Sequence, residues 1–160
     1  MDWLHLLRWL HVIGASVLLG TGAGIAFFML MAHRTQDARF IAQTANTVVI
    51  ADWLFTASAV VVQPITGLLL ANAFGWPLSE GWVALSLALY ILTGALWLPV
   101  VWMQMRLRKL AAAAAETGAP LPTAYHRLFR LWFASGVPAF IAVLSILWLM
   151  IARPSFTLIG

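Results

Sequence analysis

The sequence predicts an all-α membrane protein, an up-down-up-down bundle of four transmembrane helices. Of its 160 residues, 63% are hydrophobic and 9% are charged, whereas a soluble domain carries roughly 25% charged residues. Four apolar segments are each long enough to cross a hydrocarbon core, which requires about 20 helical residues. We therefore interpret the chain, 1–160, as a single transmembrane domain.

Breaker residues and charges separate the four apolar segments. The predicted spans are 6–32, 48–71, 82–105 and 131–151. The connections between them contain glycine, proline and charged residues and cover 33–46, 72–81 and 106–130. The alanine run 111–115 favours helix, so the third helix is expected to continue beyond the membrane. The first apolar run is too long for a cleavable signal peptide.

The distribution of positive charges predicts the orientation. The first and third connections lie on one side of the membrane and carry most of the basic residues: Arg34, Arg39, Arg106, Arg108, Lys109, Arg127 and Arg130. The opposite side has only Arg8 and Arg153. The positive-inside rule places these connections in the cytoplasm and both termini in the periplasm of a bacterial inner membrane. Topology explains the net charge of +4, so no nucleic-acid partner is expected.

Composition also limits the chemistry of the chain. It has no cysteine, which excludes disulfides, thiolate metal sites and iron–sulfur clusters. No serine, histidine and acid fall at one depth, and no glycine loop suits a phosphate, so we assign no catalytic residue. Any cofactor would be held by histidine, methionine, carboxylate or backbone groups.

A small-residue stripe on the first span favours close helix contact. Ser16, Gly20 and Gly24 recur every four residues and therefore lie on one helix face. We expect the protein to be a homo-oligomer that uses this stripe, although the stripe could equally be used within the monomer.

His11 is the main candidate for cofactor ligation. It lies about 8 Å inside the first span at a rise of 1.5 Å per residue, and an ionisable residue there suggests a functional site. Arg8 lies one turn nearer to water, while Ala15 and Gly22 continue nearly the same face with small side chains. His11 could ligate the iron of haem b, with Arg8 pairing to a propionate. Alternatively, His11 hydrogen-bonds another helix or a boundary water.

Four polar residues of the second and third spans are expected at about the depth of His11. They are Gln63, Thr66, Ser86 and Tyr90. These side chains could surround the cofactor or form a polar contact between helices.

Asp52 occurs near the predicted start of the second span. A carboxylate in the first turn of a helix is stabilised by the helix dipole, so we expect Asp52 to cap this helix. The alternative is a proton relay.

Two histidines and four methionines raise the question of copper. His33 and His126 lie at the cytoplasmic boundary, where they favour interfacial solvation or a metal site. Thioethers select Cu(I), and methionines end the first and third spans at Met29, Met31, Met103 and Met105. However, side chains two residues apart on a helix point about 200° apart, so packing is the preferred interpretation.

Several segments resemble known families. Leu10-His11-Val12-Ile13, Gly20 and His33 resemble the first helix of the CopD-like membrane superfamily, which includes copper-resistance membrane proteins and HemJ-type protoporphyrinogen oxidases. Over nearly its full length, the chain is similar to an uncharacterised bacterial family of integral membrane proteins in that group. The segments that match are 51–55, 63–67, 96–101 and 130–132.

The resemblance to the HemJ type implies haem binding by the first-helix histidine, which His11 matches. It also implies a third-helix lysine needed for activity, but this chain has Trp82-Val83-Ala84-Leu85-Ser86 near that position. We therefore expect a haem-b protein with an electron-transfer or redox role and without the oxidase activity. Its second axial ligand and redox partner are unassigned. The alternatives are a copper-handling or transporter-like protein, or a structural or assembly partner without a cofactor.

Overall fold

The computed structural model describes residues 2–156, and the elements within this range are helical. They are α1 (Trp3–Thr35), α2 (Ala38–Ala51), a π-helical turn (Asp52–Thr56), α3 (Ala57–Ala73), α4 (Gly81–Thr117) and α5 (Thr123–Ala152). Because α2, the π-turn and α3 form one continuous helix, four helices are long and apolar enough to cross a membrane. The predicted all-α four-helix architecture is confirmed.

The helices extend beyond the predicted spans, and two of the predicted connections are wrong in extent. Helix α1 continues to Thr35 and α2 begins at Ala38, so 33–46 is almost entirely helical. The third connection is helical except at 118–122, and the alanine run lies within α4 as predicted. Arginine, lysine and glutamine are good helix formers, so these charged segments prolong the helices outside the apolar core.

Two ends of the bundle can be distinguished by their side chains. One end, where α1 begins and α5 ends, is called the terminal end. There the Arg153 guanidinium lies 4.6 Å from the Trp76 ring centre and 5.9 Å from that of Trp82. The opposite end carries the basic first and third connections and is called the basic end. There α1, α2, α4 and α5 enclose an apolar core whose most deeply buried members include Met29, Ile41, Leu107 and Tyr125. This core joins all four spans at the basic end.

The second helix changes its main neighbour along its length. Its first part, α2, packs chiefly against α4, whereas its last part, α3, packs chiefly against α1. Helices α4 and α5 form the most extensive helix pair. Polar side chains of α3 are therefore brought to α1.

The small-residue stripe of α1 (Ser16, Gly20 and Gly24) faces outward. A Cβ placed at Gly20 would meet nothing within 4 Å, and one at Gly24 would meet only Phe28 of the same helix. Within residues 2–156 the stripe thus makes no close helix contact, and its use between copies stays a prediction.

Candidate functional site

His11 lies where α1 and α3 approach each other closely. Its Nδ1 is 2.8 Å from Oγ1 of Thr66. The side-chain Nε2 of Gln63 donates a hydrogen bond of 2.7 Å to the backbone carbonyl of His11. Both α3 side chains are buried, so the contact fixes both the backbone and the ring of His11.

Two glycines that sequence reasoning missed make this approach possible. A Cβ at Gly14 would lie 2.7 Å from Gln63 Nε2, and one at Gly67 would lie 3.1 Å from His11 Cε1. Gly14 follows His11 by almost one helical turn and Gly67 directly follows Thr66. In the sequence, both glycines are recognisable by their position close to a polar residue of a span. The regular four-residue spacing of Ser16, Gly20 and Gly24 did not identify the close helix contact.

The hydrogen bonds of Thr66 favour the tautomer of His11 that carries the proton on Nδ1. The Thr66 hydroxyl donates to the carbonyl of Val62 at 2.8 Å. A hydroxyl has a single proton, so its oxygen accepts from the Nδ1–H of His11. In that tautomer the other ring nitrogen, Nε2, bears a lone pair. The contact with Thr66 thus orients the His11 ring through Nδ1.

Arg8 and Gly22, which the sequence placed near His11 on α1, have different surroundings. The Arg8 guanidinium lies 4.5 Å from the Phe74 ring centre, next to the end of α3. This places a positive charge one turn beyond His11 at the terminal end. Gly22 is exposed, and a Cβ there would meet nothing within 4 Å. It lies about 16 Å along the helix from His11.

Ser86 and Tyr90 do not contact His11. The buried Ser86 hydroxyl donates to the Trp82 carbonyl of its own helix at 2.7 Å. The Tyr90 hydroxyl donates to the backbone carbonyl of Val60 on α3. Of the four polar residues expected around His11, the structure thus brings Gln63 and Thr66 to it.

The prediction that Asp52 caps the second helix is wrong. Asp37 has that role, because its carboxylate accepts hydrogen bonds from the N–H groups of Arg39 and Phe40 at 2.8 and 3.2 Å. Asp52 lies well inside the continuous helix, at the start of the π-turn, and is only 4% exposed. Its carboxyl oxygen Oδ1 accepts a hydrogen bond of 3.3 Å from Trp97 Nε1 on α4.

His33 and His126 come together at the basic end. Their ring centres are 5.8 Å apart, and the His33 ring stacks on Phe129 at 3.8 Å. His33 Nδ1 is also 3.3 Å from the hydroxyl of buried Tyr125. Across residues 2–156, no group of three or more histidine, aspartate or glutamate side chains could hold a metal ion. The pair is thus part of an aromatic cluster.

The methionines suggested for copper mainly fill the apolar interior. Met29 and Met103 are buried in the core at the basic end, and Met31 and Met105 are partly buried. This arrangement agrees with the packing interpretation.

These features define an all-α integral membrane protein with polar contacts between its spanning helices. The chain belongs to the family described as "Predicted integral membrane protein (DUF2269)", which matches residues 5–154. The match includes all four helices and both buried polar sites. No curated protein and no solved structure matches the chain.

Proposed function

We propose that this protein binds haem b through His11 and transfers electrons or senses redox state in the membrane. The observation that carries the proposal is the hydrogen bond between His11 Nδ1 and Thr66. Histidines that ligate metals usually donate their second ring N–H to a neighbouring group, which fixes the tautomer and the ring orientation. In this chain the Thr66 hydroxyl is placed to accept that bond from Nδ1, which would leave Nε2 to ligate.

The surroundings of His11 fit a haem group. Leu10, Val12 and Ile13, which flank His11 in the chain, are apolar and exposed, so His11 lies in an apolar, lipid-facing stretch of α1. Arg8 supplies a positive charge one turn away, and a guanidinium pairs well with a propionate. When bound, haem iron would supply reversible one-electron chemistry. The residues of the chain would hold the group and keep the His11 ring fixed.

The proposed haem lies on the surface of the bundle. Two open grooves of about 580 and 430 Å³ run between α2 and α4, and His11 lines neither. A second axial ligand would then come from water, another side chain or a second copy of the chain. If a second copy of the chain supplied this ligand, the expected homo-oligomer would be needed to complete the haem site. The wider resemblance to HemJ-type proteins stays a prediction, and the oxidase activity is not proposed.

Absorption spectroscopy of the detergent-purified protein, prepared from cells supplied with a haem precursor, tests the proposal. We expect a Soret band in the wild type that is lost or strongly shifted in His11→Ala. His33→Ala and His126→Ala are matched controls and should keep the spectrum, while Arg8→Gln should retain haem less well. Circular dichroism and gel filtration check that each variant is folded.

An unchanged spectrum in His11→Ala would place the ligand elsewhere, and the absence of haem from the wild type would reject the proposal. Metal analysis of the same samples addresses the copper-handling alternative. A protein with neither haem nor copper would favour the structural or assembly role.

A further inference from the structure

A buried carboxyl group lies inside the second transmembrane helix, apart from the His11 site. Asp52 is 4% exposed. The other side-chain carboxyl groups of the chain are exposed or partly exposed: Asp2, Asp37, Glu80 and Glu116. Thr66 follows Asp52 by 14 residues, so the two sites are about 20 Å apart along the helix. Ionisable groups inside membrane proteins are costly, and they often mark functional sites.

The π-turn arranges two further polar groups around Asp52. The backbone N–H of Ala57 donates to the carbonyl of Asp52, five residues back, which is the π-helical pattern. Thr56 ends the same π-turn, and its hydroxyl oxygen is buried without a hydrogen-bond partner among the described residues. Trp97 Nε1 donates to one carboxyl oxygen, Oδ1. The second carboxyl oxygen and the Thr56 hydroxyl thus have hydrogen-bonding capacity to spare.

No positive charge compensates this carboxyl group. Within residues 2–156, the one ion pair under 4.0 Å joins His5 to Asp2. Helices α1, α2 and α3 pack around the π-turn, and α4 reaches it through Trp97. None of the basic side chains of these helices forms an ion pair with Asp52: His5, Arg8, His11, His33, Arg34, Arg39, Arg106, Arg108 and Lys109. The other titratable side chains of these helices are Tyr90, which bonds to the Val60 carbonyl, and the exposed Glu116.

An ionised carboxylate in this position would be expensive. In a dry, apolar interior, an isolated charge costs far more than a neutral polar group that makes hydrogen bonds. A sodium ion would relieve the charge, but hard cations need more oxygen ligands than one carboxyl and one hydroxyl provide. A proton needs only the carboxyl oxygen that holds it and an acceptor.

We propose that Asp52, Thr56 and Trp97 form a proton-binding site inside the bundle. At neutral pH the Asp52 carboxyl carries a proton on Oδ2, the oxygen that does not accept from Trp97. The site exchanges this proton with water: the carboxylic acid releases it as hydronium and the carboxylate takes it back. The site is independent of haem.

Infrared spectroscopy of the protein at pH 7 tests the proposal. The protein is kept in dodecyl maltoside, a detergent without carbonyl groups, because lipid esters absorb in the same region as a protonated carboxylic acid. The other four side-chain carboxyl groups are exposed or partly exposed, so we expect the C=O stretch of a protonated carboxylic acid in the protein to come from Asp52. We expect one such band, absent in Asp52→Asn and unchanged in the control Asp37→Asn. Trp97→Phe should move the band to higher frequency, because it removes the hydrogen bond to Oδ1. Transfer to heavy water should shift it to lower frequency.

Isotope labelling provides a test that needs no substitution. Carboxyl-¹³C aspartate should shift the band of the wild-type protein, and carboxyl-¹³C glutamate should not. A spectrum without the band, or a band that persists in Asp52→Asn, would overturn the protonated site. A band that does not move in heavy water would overturn proton exchange. Because haem-free protein is used, none of these outcomes depends on haem binding.

Discussion

The contact between α1 and α3 can be tested at Gly14. In Gly14→Ala the new methyl group would lie 2.7 Å from Gln63 Nε2, well inside van der Waals contact. Gln63 is buried and bonded to the His11 carbonyl, so its amide must move away and lose that bond.

The expected change in the free energy of unfolding combines two costs and one gain. Overpacking a tight contact costs typically about 1–3 kcal/mol, and the lost hydrogen bond adds about 0.5–1.5 kcal/mol. Alanine favours helix over glycine by about 1 kcal/mol. We therefore expect Gly14→Ala to lower the free energy of unfolding by about 2 kcal/mol. Gly22→Ala, where the methyl group meets nothing within 4 Å, should be neutral or stabilising by up to about 1 kcal/mol.

Unfolding by SDS in mixed micelles, followed by circular dichroism, measures both variants. A double-mutant cycle identifies the cause, because Gly14→Ala should cost little when Gln63 is already alanine. Equal stability of Gly14→Ala and Gly22→Ala would refute the close contact. So would a Gly14→Ala cost that persists unchanged in the Gln63→Ala background.

Three further predictions concern the cap, the ring and the orientation. Asp37→Ala should cost about 1 kcal/mol in the same unfolding assay because it removes the helix cap, whereas Asp37→Asn should cost much less. Gly67→Ala should displace the His11 ring, so any haem spectrum should shift while gel filtration shows an intact fold; an unchanged spectrum would contradict the ring contact. In this cysteine-free chain, an impermeant maleimide added to intact cells should label Leu78→Cys but not Ala113→Cys, and the reverse pattern would overturn the predicted orientation.

The sequence supports some parts of the site better than others. In an antiparallel bundle, counting residues along the spans places 63–66 at the same membrane depth as His11. The sequence could therefore predict that Gln63 and Thr66 lie near His11. Depth alone does not tell which helix neighbours which, and Ser86 and Tyr90 were for that reason expected near His11. The pairing of α3 with α1 depends on packing along the whole bundle.

The misplacement of Asp52 has a physical explanation. The hydropathic run begins near Val48, but the helix begins ten residues earlier, where Asp37 caps it. An aspartate just before a helix-forming stretch was an available start signal. The charges of this stretch suggested a loop, and the cap was assigned to the wrong aspartate. Nothing in the sequence indicated the π-turn.

The π-turn accommodates one extra residue in the second helix. A regular helix turns by 100° per residue, so an extra residue in regular helix would rotate all later side chains by about 100°, whereas a wider turn absorbs it. Asp52, the first residue of the turn, reaches Trp97 on α4, and Gln63 and Thr66 beyond the turn reach α1. Removing one residue from the turn should give a regular helix that keeps both flanking faces.

Two single-residue deletions test this account. Leu54 and Val61 are about equally exposed, at 61% and 60%, and both shorten the same helix by one residue. Deleting Leu54 from the π-turn should preserve the α1–α3 contact while disturbing Asp52. Deleting Val61 from regular helix should rotate Gln63 and Thr66 away from His11, costing at least about 1–3 kcal/mol in hydrogen bonds alone. If the Leu54 deletion proves as destabilising in SDS as the Val61 deletion, the π-turn does not accommodate an extra residue in the way described.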